Sequence, residues 1–284
     1  MEIKKVGVVG CGIMGSGITQ VCAQSGYEVL VSEVDGALLK KGLASIEAFL
    51  VKSVEKGKIS SEDKQAVLSR IKGTTDMGDF HDRDLVIEAL IENLELKKKV
   101  FIDLDRVCPE GAILATNTSC LSIIDMAMAT GRPDRVLGLH FMNPVPLMKL
   151  LEIVKTIETS EETLGTGVDF GKSLEKTIII AKDTPGFITN YLLMPFLLNA
   201  IRMLDSKVAT KEDIDASISL GLNHPMGPLT LTDFIGLDTV LYITSAMYAE
   251  FKDPQYAPPT ILKKMVIAGW LGRKSGKGFY DYNK

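Results

Sequence analysis

Two side chains in this sequence have the right types to move a proton. One is His140, among only three histidines, and the other is Glu152, an acid inside the apolar run 150–154. Between them stand Asn143, Pro144, Val145 and Pro146. Proline fixes φ and restricts the residue before it, so this stretch predicts a reversal. The chain then runs out along one strand, turns, and returns along another. A His at the end of the first strand can face a Glu within the second, and a His–carboxylate pair is a general acid/base device. Neutral imidazole suits the removal of a hydroxyl proton, because its unperturbed pKa is about 6.5.

The elements before this pair predict what it works beside. Residues 6–9 form a short apolar run, read as a buried strand, and Gly10, Gly12 and Gly15 follow it. Met14, Ile18, Val21 and Cys22 then fall at helical spacing up to Gly26, and residues 27–33 alternate into a second strand ending in Glu33. Strand, glycine turn, helix, strand and acid make the dinucleotide-binding fingerprint. Gly10 permits the tight turn, Gly12 lets the backbone approach a pyrophosphate, and Gly15 allows close helix–strand packing. The helix start at Ile13 and Met14 offers free N–H groups to the phosphates. Glu33 is placed to hydrogen-bond the adenine ribose, which favours NAD; NADP is left open. Asp35 follows closely enough to share that role.

Residues 36–72 read as an inserted helical hairpin, its first helix carrying Lys52 and Lys56 near its end. Such lysines form a solvated face or receive a phosphate-rich ligand. Further strands are read at 84–88, 112–115 and 136–139, followed respectively by Glu92, by the polar quartet 116–119, and by His140. Polar groups past the carboxyl ends of parallel strands lie on the ligand side of such a sheet. Residues 149–154 and 177–180 supply two more strands. Beyond about 183 only helices are read, at 187–205, 211–220, 229–251 and 260–268, with a turn at the end. The domains are therefore set at 1–183 and 184–284. The helix 188–200 is apolar almost all round, which implies burial on more than one side.

Composition narrows the class. A net charge of −4 argues against general affinity for nucleic acid. Cys11, Cys22, Cys108 and Cys120 lack metal or disulfide spacing, so neither a zinc site nor a disulfide framework is expected, and a reducing cytoplasm is the simplest setting. No apolar run reaches the roughly 18 residues a membrane span requires.

Taken together, the glycine turn, Glu88 with Glu92, 117–119, His140 to Val145, 182–188 with Asn190, 225–228 with 236–238, and 276–280 resemble the 3-hydroxyacyl-CoA dehydrogenase family. Its bacterial 3-hydroxybutyryl-CoA branch is the nearest likeness, over essentially the whole chain. The resemblance implies a Rossmann-type α/β domain, mostly parallel, followed by an all-α domain that forms a substrate cleft and a homodimer or larger assembly. It implies reversible hydride transfer between NAD(H) and a short-chain 3-oxoacyl-CoA, with His140 as acid/base and Glu152 as its orienting carboxylate. It makes Ser119 and Asn190 holders of the substrate oxygens, and Ser119 and Asn143 nicotinamide-side contacts. Glu92, Lys97 and Lys274 match positions lining the cofactor pocket. Lys56 matches a contact to the CoA phosphates, with Lys52 on the same helix, while Phe49 stands where some relatives carry a CoA-contacting serine. No metal is required. A 3-hydroxyacid dehydrogenase using an acid/base lysine is the alternative enzyme, but no lysine occurs between Phe187 and Ile201. A non-catalytic nucleotide sensor is the other alternative.

Overall fold

A computed structural model describes residues 2–283. The chain divides into two compact units, one ending at Thr184 and the other beginning at Pro185. The first unit runs β1 (Lys5–Val9), α1 (Ile13–Gln24), β2 (Glu28–Ser32), α2 (Gly36–Glu55), α3 (Ser61–Ser69), β3 (Ile71–Thr74), β4 (Leu85–Glu88), α4 (Leu94–Val107) and β5 (Ile113–Thr116). It continues with α5 (Ile123–Ala127), β6 (Val136–Phe141), β7 (Leu150–Lys155), α6 (Glu161–Ser173) and β8 (Thr177–Lys182). These strands form one eight-stranded sheet in the order β3-β2-β1-β4-β5-β6-β7-β8. Strand order reverses between β1 and β4, so a ligand crevice opens at their carboxyl ends, where the glycine turn lies.

The expected mostly parallel sheet contains one strand more than the sequence suggested. Residues up to 72 read as hairpin, yet β3 pairs in parallel with β2, from Val29 opposite Ile71 to Ser32 opposite Thr74. This is a four-residue edge strand, IKGT, whose centre is exposed, so it lacks the apolar run that marks its neighbours. The short helix α5 starts only after the Ser122 cap.

Period-2 alternation decides which way the chemistry faces. Val6, Val8, Leu85, Ile87, Ile113, Leu137, Leu139, Leu151 and Ile153 point to one face, where they pack with Ile18, Ile46, Val67 and Phe170 from α1, α2, α3 and α6. The intervening positions face α4 and α5, and His140 and Glu152 are among them. A Cβ at Gly138 would overlap Ile123 and Val154, so glycine there lets the start of α5 close down on β6.

The second unit contains α7 (Thr189–Asp205), α8 (Lys211–Gly221), α9 (Pro228–Ile235), α10 (Leu237–Phe251) and α11 (Thr260–Ile267). The single helix read over 229–251 is in fact two. Gly236, at φ +103°, breaks it, a conformation that L side chains resist. Two buried carboxylates hold this unit together. Asp215 accepts from the backbone N–H of Leu229 (2.7 Å) and Thr230 (2.9 Å), supplying the cap that Gly227 cannot. Asp233 accepts from the N–H of Phe279 (2.8 Å) and Tyr280 (2.9 Å) and from the Tyr282 hydroxyl (3.0 Å), so it pins the chain end. Burial raises the Asp233 carboxyl above its ordinary range, against these hydrogen bonds. Because Asp233→Ala strands buried donors, it is expected to cost about 3 kcal/mol, read as an earlier urea midpoint at unchanged slope.

Candidate active site

His140 and Glu152 form a direct cross-strand pair. β6 and β7 run antiparallel, with His140 opposite Glu152. Opposed residues on one face of such a ladder are close neighbours, and here His140 Nδ1 lies 2.7 Å from Glu152 Oε2. Both side chains are buried, at 4% and 1% exposure. The carboxylate can only accept, so Nδ1 carries the ring proton and donates it in a hydrogen bond, which leaves Nε2 of the neutral ring as the acceptor. On that side stands Ser119, its hydroxyl 3.1 Å from Nε2.

The turn between the two strands is fixed from outside. The Lys176 ammonium donates to the carbonyls of Val145 (2.7 Å) and Met148 (2.8 Å). Burial lowers the Lys176 pKa, as expected for an ammonium drawn into the protein.

Ser119 is held from both ends. On one side the Glu92 carboxylate accepts from the Ser119 N–H (2.7 Å) and from the Thr118 hydroxyl (2.9 Å). On the other, Asp183 accepts from the N–H of Ile123 (3.2 Å) and Ile124 (2.8 Å) at the start of α5. Burial raises the Asp183 carboxyl above its ordinary range, opposed by those two bonds. Asp183 lies in the stretch 182–188 that carries the resemblance, but its type and spacing alone give it no role; an acid two residues before a Pro-Gly pair is the available signal. Asn117 ties β5 to β6 by accepting from Phe141 N–H at 2.9 Å.

Lys97 was expected to line the cofactor pocket, but it is 1% exposed. Its ammonium lies 2.6 Å from Glu88 and 3.4 Å from Glu92. It therefore stands behind Glu92, between that acid and Glu88. Cys120, next to Ser119, is no nucleophile: burial, with Glu92 adding, pushes its thiol up to about 12. Among the described residues no group of His, Cys, Asp or Glu is placed to hold a metal ion.

The glycine turn fits a dinucleotide. A Cβ at Gly12 would enter open space, while at Gly15 it would overlap the Gly10 carbonyl. Gly12 caps α1 with no side-chain hydrogen bond, and the first turn holds no acid, so the N–H groups near Ile13 and Met14 face a place for an anion. Glu33 closes over this turn, accepting from Cys11 N–H at 2.8 Å. Asp35 caps α2, accepting from Ala37 and Leu38 N–H, each at 2.8 Å. Burial, and then Glu33, pushes the Cys11 thiol up to about 11.

A cleft of about 240 Å³ joins this turn to the dyad's loop, with Ile13, Ser16, Ser45, Phe49, Asn143 and Pro144 on its walls. Phe49, Lys52 and Lys56 follow at helical spacing along one face of α2, and both lysines are exposed. Asn190 and Lys274 belong to the second unit: Asn190 is in the first turn of α7, and the Lys274 ammonium lies 2.6 Å from Asp238.

A buried His–Glu pair on the carboxyl edge of a dinucleotide-type sheet is an arrangement that suits a nicotinamide-nucleotide dehydrogenase. Family comparison matches residues 5–184 to the 3-hydroxyacyl-CoA dehydrogenase NAD-binding domain and 186–282 to the C-terminal domain of the same family. A 3-hydroxybutyryl-CoA dehydrogenase of Mycobacterium tuberculosis is 47% identical over 282 residues, covering 99% of each chain. One from Clostridioides difficile is 46% identical, covering 99% of this chain and 100% of its own. The crystal structure of (S)-3-hydroxybutyryl-CoA dehydrogenase from Ralstonia eutropha superposes with a TM-score of 0.95 at 43% identity, covering 100% of both chains. The chain belongs to the 3-hydroxyacyl-CoA dehydrogenase family.

Proposed function

We propose that this protein interconverts acetoacetyl-CoA and (S)-3-hydroxybutyryl-CoA with NAD(H). The observation that carries this reading is the buried His140–Glu152 pair with Ser119 at Nε2, beside the Gly12 cradle. Relatives named for that reaction at 46–47% identity support it.

NAD supplies the hydride acceptor when bound, held at Gly10, Gly12, Ile13, Met14, Gly15 and Glu33, with Ser119 and Asn143 toward its nicotinamide and Glu92 lining its pocket. In the oxidising direction His140 Nε2 takes the hydroxyl proton, and Glu152 stabilises the imidazolium that forms. In the reducing direction the imidazolium returns the proton to the nascent alkoxide. Ser119 donates to that oxygen, and this bond strengthens as charge develops on it. The cleft past Phe49 carries the CoA arm toward Lys52 and Lys56, whose ammoniums meet its phosphates. The helical unit pairs with a second copy; apolar Leu192, 68% exposed on α7, suits such a contact. The setting is cytoplasmic, and no helix among the described residues is long and apolar enough to cross a membrane.

One assay set tests this reading. Acetoacetyl-CoA should be reduced, and free acetoacetate should not; the reverse outcome would restore the free-acid alternative. Glu33 leaves no room for the charge of a 2′-phosphate, so NADH should outperform NADPH by roughly tenfold or more, and Glu33→Gln should narrow that ratio. Equal rates in the parent protein would overturn the assignment to Glu33.

A further inference from the structure

We propose that the buried Glu88–Lys97 pair is a positioning device for Ser119 and His140, acting through Glu92. This rests on the functional reading above. Glu88 is 0% exposed at the carboxyl end of β4. Its Oε1 accepts from Lys97 Nζ and from Leu90 N–H, both at 2.6 Å, and its Oε2 accepts from the Thr116 hydroxyl at 2.7 Å. Lys97 also donates to the Leu90 carbonyl at 3.3 Å. Both backbone groups of Leu90 are thereby fixed, and with them the short connection that carries Glu92.

The ammonium stands between two carboxylates, 2.6 Å from Glu88 and 3.4 Å from Glu92. Glu92 then grips the Ser119 N–H at 2.7 Å, and Ser119 Oγ meets His140 Nε2 at 3.1 Å. The contacts run without a gap from Thr116 and Glu88 to the proton-transfer atom. A buried ion pair is weak evidence for stability, since an apolar pair of similar volume often holds a core as well. What an apolar pair cannot do is hold a third, partly exposed carboxylate at a fixed place. Glu92 needs that, because an unanchored carboxylate would turn toward water and release Ser119.

Removing Lys97 alone would strand a buried charge and could unfold the protein, so the informative variant is the double substitution Glu88→Gln with Lys97→Met. It removes the ion pair, and the one charge that loses a partner, Glu92, is partly exposed rather than fully buried. With acetoacetyl-CoA and NADH, kcat should fall roughly 10- to 100-fold, because small misplacements of a reacting group carry losses of that order. KM for the acyl-CoA should hold within about threefold, since uniform binding is untouched. In a Ser119→Ala background the same double substitution should cost less than about threefold, because residues in one network are not additive. Equal losses in both backgrounds, or an unchanged kcat, would overturn the proposal.

A second readout does not depend on turnover. With three histidines in the chain, ring ¹⁵N resonances can be assigned singly. The His140 Nε2 signal should move in the pair variant in the direction it moves in Ser119→Ala, while His81 and His224 stay in place. An unmoved His140 signal refutes the proposal, and it does so even if the parent protein proves inactive on acetoacetyl-CoA, which would instead refute the functional reading.

Discussion

Replacing His140 with Gln is expected to lower acetoacetyl-CoA turnover by roughly 10²- to 10⁴-fold. The ring is buried, and glutamine is close to it in volume. Its amide can donate to Glu152 as Nδ1–H does, so the fold should survive. What is lost is an atom that can both take and return a proton at Nε2, next to Ser119. On the energy scale the loss is about 3–5 kcal/mol of transition-state stabilisation. Cofactor affinity should hold within about twofold, because the glycine turn is built on β1, α1 and β2, away from β6. Steady-state rates beside an NADH fluorescence titration separate the two quantities. Near-normal turnover would remove His140 from the mechanism.

Glu152→Gln is the second large effect, and its cause is different. The carboxylate accepts from Nδ1 and so leaves a lone pair on Nε2. An amide can turn its N–H toward Nδ1, which stabilises the opposite tautomer and puts the proton where the base is needed. In hydrolase triads the corresponding change lowers kcat about 10⁴-fold, and a fall of roughly 10² or more is expected here on the same grounds. Both reaction directions should suffer, since the imidazolium loses its counter-charge. Near-normal rates in both directions would argue for a purely structural Glu152. Glu152→Asp, which keeps the charge and shortens the reach, should retain more activity than the Gln variant.

The dyad was legible in the sequence because two strong local signals bracket it. Apolar runs fix β6 and β7, and the prolines between them demand a reversal. The glycine turn and Glu33 were legible for a similar reason, since a short fingerprint encodes one turn and one close approach. Lys97 was not, although its position was noticed. It stands first in a row of three lysines, 97–99, which reads as a solvated face. Only the sheet brings Thr116, 28 residues on from Glu88, against that acid and closes the pocket that Lys97 enters. The same limit hid β3, whose residues carry little apolar signal and gain their pairing from β2. Gly236 was visible, but a lone glycine does not announce a positive φ, and so one helix was read where the chain makes two.

The reversed direction of β7 has a consequence for how this chain can vary. Successive residues of a strand face opposite sides, so the dyad obeys a parity rule. For the facing of Glu152, the length of the loop between β6 and β7 matters less than the pairing of β7 with β8, from Leu150 opposite Thr177 to Lys155 opposite Lys182. A one-residue slip of β7 alone would instead bring Leu151 to the imidazole and drive Glu152 into the face packed by α6. The outer strand β8, remote from any reacting atom, thus serves as the ruler that keeps an acid behind His140.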